Sequence, residues 1–219
     1  MPVIFDLSQP IEPGMPVYPG DPVPAVEPAA PEGGPWRVSS LRLGTHTGTH
    51  LDAPSHFVQR GRTVDQLPLE RFLLPGICIH LEGLLPNQPI DAGRLAGRLA
   101  PIPERGAVLI HTGWDRLWGQ VGYFEHPYLT ARAARLLARS GIGLVGIDAP
   151  SVDSSARGTS AAHAVLLGRE ILILENLRGL EQLPEGQPFQ LAALPLRLTG
   201  LDGSPVRAVA WEGDPRLAP

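Results

Sequence analysis

Three histidines and an aspartate fall within eleven residues, in the string His46-Thr47-Gly48-Thr49-His50-Leu51-Asp52-Ala53-Pro54-Ser55-His56. Four titratable side chains on one short segment are costly to bury unless a cation or a catalytic task compensates them. On a helix, His46 and His50 would share a face. Gly48 and the β-branched Thr45, Thr47 and Thr49 are poor helix formers, so the spacing predicts an extended strand. In a strand His46, Gly48, His50 and Asp52 all point the same way. Gly48 then leaves a gap between two imidazoles. A divalent cation fits that gap, held by two neutral nitrogens and one carboxylate. Pro54 turns the chain, which frees His56 to lean over the site without joining the ligands.

Two distant residues are candidates to complete the site. Glu175 follows the apolar run Ile171-Leu172-Ile173-Leu174, and a carboxylate placed there is expected to be paired or metal-bound. His163 lies on a predicted helix and, read alone, is an ordinary structural histidine. His80, His111 and His126 also read as structural, the first two within buried-strand patterns. Asp148 and Asp153 read as turn residues in a loop that follows a buried strand, where sites often form.

The elements that must position these residues are short. The chain has 219 residues, 43% hydrophobic and 18% charged, enough for a sizeable core and consistent with one domain over 1–219. Glycine and proline, 25 each, make up about 23% of it, against about 12% ordinarily. Nine prolines crowd into 10–35, which reads as an ordered arm (1–36) of extended pieces and turns. Residues 36–52 read as one long extended stretch. Buried strands are expected at 76–83, 106–113, 142–148 and 170–176, with helices at 91–100, 129–141 and 159–169. Residues 190–200 and 204–211 read as a closing hairpin around Leu201-Asp202-Gly203. The sum is a mixed-sheet α/β protein.

Composition removes several function classes. All eighteen cations are arginine, which excludes a Schiff-base or phosphate-loop lysine. A net charge of −4 gives no footprint for nucleic acid or an anionic membrane. The single cysteine, Cys78, excludes an internal disulfide framework and a multi-cysteine zinc site. The first residues carry no basic segment followed by an apolar run, so the expected location is cytoplasmic.

At the histidine-rich string the sequence resembles the metal-dependent cyclase family, which includes bacterial kynurenine formamidases. The family's pattern H-x-G-T-H-x-D-x-P-x-H is present in full at 46–56. PVYPGDP (16–22), GIDAPSVD (146–153) and the His163 to Glu175 pair running into ENL also match. The resemblance implies a swivelling β/β/α fold and a dimer or larger homo-oligomer. It implies two divalent ions per subunit, zinc or manganese. His46, His50 and Asp52 would hold the first, Asp52 would bridge to a second that also takes His163, and Glu175 would touch both. His56 would be the general acid/base, and the substrate a small aryl amide such as N-formylkynurenine.

The chain departs from the formamidases at Tyr18, where they place a tryptophan. Tyrosine still offers an aromatic face, but with a hydroxyl. A lactam or lactone hydrolase on the same metal site, and a non-enzymatic metal-binding protein, remain as alternatives.

Overall fold

A computed structural model of the chain describes residues 3–29, 34–81, 83–99 and 102–212. Residues 30–33 of the proline-rich arm lie outside the described residues, as does Ala100 at the end of the predicted 91–100 helix. The strands are β1 (Ile4–Asp6), β2 (Ala25–Pro28), β3 (Ser39–Arg42), β4 (His50–Asp52), β5 (Leu73–His80), β6 (Pro89–Ile90) and β7 (Ala107–His111). They continue with β8 (Tyr128–Leu129), β9 (Leu144–Ile147), β10 (Leu172–Glu175), β11 (Phe189–Ala192), β12 (Gly203–Pro205) and β13 (Val209–Trp211). The helices are α1 (Ala92–Leu95), α2 (Ala131–Arg139) and α3 (Ala161–Leu167). Among the described residues no helix is long and apolar enough to cross a membrane.

Nine strands form one mixed sheet in the order β1-β13-β11-β5-β7-β9-β10-β4-β12. The run β5-β7-β9-β10 is parallel, and antiparallel strands extend it on both sides. This is the expected mixed-sheet α/β architecture. The parallel strands are apolar nearly throughout because both of their faces are covered. Alternate residues feed two cores, as the period of two requires. Ile77, Ile79, Val108, Ile110, Val145 and Ile147 pack with Leu95, Leu137 and Leu166 of the three helices. Cys78, Leu109, Leu144, Leu172 and Leu174 face the opposite layer, where the Cys78 thiol is fully buried.

Helix α2 follows its prediction closely. The Thr130 hydroxyl accepts from Ala133 N at 3.2 Å, and Ala133, Ala134 and Leu137 are buried. The predicted 91–100 helix is shorter. Asp91 caps it as expected, but α1 ends at Leu95, where Ala96 turns extended and Gly97 enters the left-handed region (φ +82°). Gly93 and Gly97 lower the helical propensity of so short a segment.

Two expectations are corrected. The 36–52 stretch is broken between Arg42 and His50. Thr47 Oγ1 accepts from Gly44 N, and Gly48 takes φ +62°, so residues 44–48 form a turn. His46 therefore reaches the site from that turn, not from the strand face that carries His50 and Asp52. The closing hairpin is likewise only half present. Strands β11 and β13 pair, but β12 crosses to the far edge and pairs with β4, placing Gly203 opposite Asp52. Asp202 is thereby delivered to the histidines instead of lying at a hairpin tip.

Candidate metal centre

Strands β10 and β4 are antiparallel neighbours, with Glu175 directly opposite His50. Directly opposed residues project from the same face, and so do His50 and Asp52 two residues apart. The turn of α3 above them brings in His163. All four residues are at most 5% exposed. His50 Nε2 lies 3.4 Å from Asp52 Oδ1 and 3.4 Å from Glu175 Oε2. His163 Nε2 lies 3.4 Å from Asp52 Oδ2 and 3.3 Å from Glu175 Oε1. Each carboxylate thus offers one oxygen to each imidazole.

These separations suit a cation better than direct hydrogen bonds. Nitrogen and oxygen donors held tetrahedrally at about 2.0–2.1 Å from an ion lie about 3.3 Å apart. Asp52 Oδ2 is also buried with no hydrogen-bond partner, a costly arrangement unless an ion completes it. The donor set fits a divalent metal on both counts.

The layer behind the ligands fixes which nitrogen points inward. His50 Nδ1 donates to Gly48 O at 2.8 Å. The same carbonyl accepts from Asn176 Nδ2, whose Oδ1 accepts from the Tyr123 hydroxyl at 2.7 Å. His163 Nδ1 donates to Asp153 Oδ2 at 2.9 Å, and that carboxylate also takes the amides of Ala162 and His163. In both rings Nδ1 is engaged and Nε2 faces the centre, the usual way a metal-binding histidine is oriented. Asp153 is therefore more than a turn residue.

Burial opposes every charge here, and mutual attraction overrides it. Asp52 is pulled well below the usual carboxylate range by His163, His46 and His50. Glu175 is pushed up by burial and by Asp52 but falls to about 2 beside His163 and His50. His163 rises well above its ordinary value under the pull of Glu175, Asp153 and Asp52. His46 rises to about 10 despite burial, because Nε2 donates to Asp202 Oδ2 at 3.1 Å and Nδ1 to Asp52 Oδ1 at 2.8 Å. Protons on two imidazoles balance the carboxylates, a task a divalent cation would take over.

His56 sits on a single 3₁₀ turn, Pro54–His56, as the proline suggested. Its Nδ1 lies 2.9 Å from Asp202 Oδ2, and its ring is 4.1 Å from that of His46 and 5.9 Å from that of His163. Hydrogen bonds from His46 and His56 hold the Asp202 carboxyl well below the usual range. Asp202 is the residue that sequence reasoning missed. Nothing in Leu201-Asp202-Gly203 distinguishes it from a turn, and only the β12–β4 register places it.

All six histidine, aspartate and glutamate candidates (His46, His50, Asp52, His56, His163 and Glu175) thus come together. Tyr18 joins them by lining the same cavity of about 240 Å³. His46, His50, His56, His163 and Glu175 line it, while Met15, Val17, Tyr18, Phe57, Tyr123 and Phe124 form apolar and aromatic walls. Phe57 stacks on the His163 ring at 4.7 Å, and Tyr18 meets Phe124 edge-on at 6.0 Å. His80 and His126 stay structural, bound to Leu183 O and to Pro127 O and Ser155. Asp148 is fully buried, accepts from Thr112 and Gly113, and is pushed by burial up to about 7.

Comparison with known proteins agrees with this geometry. The family model described as "Putative cyclase" matches residues 5–154. The kynurenine formamidase of Paracidovorax citrulli (strain AAC00-1) is 37% identical over 215 residues, 94% of this chain and 95% of that protein. A solved structure described as a potential metal-dependent hydrolase with cyclase activity superposes with a TM-score of 0.82 at 31% identity, covering 98% of this chain and 100% of that one. Isatin hydrolase A from Labrenzia aggregata gives a TM-score of 0.85 at 27% identity, over 97% and 94% of the two chains. With the family model covering well over half its length and a relative of this identity spanning nearly all of it, the chain belongs to the cyclase family.

Proposed function

We propose that this protein is a metal-dependent arylformamidase that hydrolyses N-formylkynurenine to formate and kynurenine. The observation that carries the reading is the pair of buried carboxylates, Asp52 and Glu175, shared by His50 and His163, which with Glu175 line an aromatic-walled cavity. Likeness to a kynurenine formamidase along nearly the whole chain supports the choice of substrate. His46, His50 and Asp52 would hold one ion, Asp52 and His163 a second, and Glu175 would touch both, zinc or manganese in each case. We place residues 1–219 in one domain, the active form as a homodimer or larger assembly, and its location in the cytoplasm.

A divalent ion bound there supplies hydroxide near neutral pH and polarises the formyl carbonyl. The chain's own residues do the rest. Phe57 and the Tyr18–Phe124 pair hold the aryl ring against the cavity wall, setting the formyl group over the carboxylates. His56 takes the proton released as water adds to the formyl carbon. It returns that proton to the anilide nitrogen as the C–N bond breaks, so a neutral aryl amine leaves with formic acid, which gives its proton to solvent and departs as formate. Asp153 and Gly48 O keep His163 and His50 in the ligating tautomer.

Likeness to isatin hydrolase A favours one second reading, opening of a fused lactam by the same machinery. Purified protein loaded with zinc or manganese is assayed on N-formylkynurenine and isatin side by side. The formanilide is expected to have a kcat/KM at least 100-fold above that of the lactam, and the reverse order would select the second reading. Chelation should abolish activity, and either metal should restore it. Full hydrolysis by protein shown to be metal-free would sink both readings.

A further inference from the structure

We infer that Asp202 is the positioning residue for proton transfer: it holds the His56 ring by accepting from Nδ1–H, leaving Nε2 as the nitrogen that meets substrate. The inference deepens the proposed function and rests on His56 being its acid/base. The carboxylate is placed by backbone, not by chance. Gly203 pairs with Asp52 in the β12–β4 register, and Ala53 N donates to Asp202 O at 2.8 Å. On the other side Val64 N donates to Leu201 O at 2.9 Å, and Gly200 N donates to Asp65 Oδ1 at 3.0 Å. A side chain 38% exposed is thereby anchored from both flanks, so its oxygen is held where two imidazoles converge.

Those two imidazoles differ in what else holds them. His46 has a shorter bond to Asp52, and its ring lies over Gly203, where a Cβ would come within 2.9 Å of Cε1. Among the described residues, the His56 ring hydrogen-bonds only to Asp202 Oδ2. Ring packing against His46 and Phe57 does not choose between the two nitrogens, so without Asp202 either can carry the proton. With Asp202, Nδ1 keeps a proton throughout, and Nε2 alternates between base and acid. A buried carboxylate orients the histidine of a serine-protease triad by the same logic, as second-layer carboxylates do for metal ligands.

The test compares Asp202→Ala, Asp202→Asn, His56→Ala and the His56→Ala/Asp202→Ala double variant, each metal-loaded. Rates are taken on whichever of the two substrates the wild-type protein hydrolyses. Asp202→Ala is expected to lower kcat about 10- to 100-fold, within the roughly 10²–10⁴-fold span of acid–base catalysis. Its KM and metal content should stay within twofold of wild type. Asp202→Asn should recover part of the loss, because its amide oxygen still accepts from Nδ1–H. In the His56→Ala background, Asp202→Ala should cost nothing further, since the two act as a unit. Long-range ¹H–¹⁵N spectra supply a readout independent of turnover: His56 should be the Nδ1–H tautomer in wild type and mixed in Asp202→Ala.

Loss of metal in Asp202→Ala, a further rate loss in the double variant, or an unchanged tautomer overturns the inference. Normal loss in His56→Ala beside full activity in Asp202→Ala overturns it alone. Full activity in His56→Ala instead removes the acid/base reading beneath it.

Discussion

His46 shows how strongly single residues here are tied to their neighbours. Burial alone would strip its proton, yet Asp202 and Asp52 raise it to about 10. A group whose pKa is raised on folding adds stability that is complete below about pH 6.5 and is lost as pH rises through about 10. A metal ion competes with that proton for the same nitrogen. Apparent zinc affinity should therefore climb between pH 6.5 and 9, by up to about tenfold per unit for each proton displaced. Competition titration against a chelator of known affinity at several pH values measures the slope. A flat profile would exclude His46 from the ligand set.

Elements explain what could and could not be read beforehand. The short continuous apolar runs Ile77-Cys78-Ile79 and Leu172-Ile173-Leu174 mark buried strands, because alternate side chains feed two covered faces. The position of Glu175 after such a run made its burial legible. The phase of His46 was not, since the left-handed turn at Gly48 is a long-range outcome of packing. The switch of β12 to the β4 edge left no local trace either, because pairing partners are chosen by the whole sheet. The proline-rich arm lies between these cases: its turns were legible, while its contact with Phe124 was not. Tyr18→Ala should raise KM for aryl substrates several-fold and leave metal content unchanged. Unaltered kinetics on N-formylkynurenine would move the aryl subsite away from the arm.

Across the whole molecule the site joins segments far apart in sequence. The 44–56 segment, α3, β10 and the loop entering β12 each contribute one part. A ligand that binds only the assembled form stabilises it by about 2.7 kcal/mol at 100 times its Kd. At roughly 2–4 °C per kcal/mol for a chain of this size, zinc at that excess should raise Tm by about 5–10 °C. Chelation should reverse the shift, and an indifferent Tm would mean that no ion bridges these segments. Cys78 gives another view of the same assembly. Its thiol lies on β5 between β11 and β7, fully covered, and burial pushes its pKa far above the ordinary value. A maleimide or disulfide reagent meets a reactive thiolate there only after those strands part. The rate of labelling then counts openings of the sheet, so the chain's one sulfhydryl serves as a built-in clock for its own unfolding.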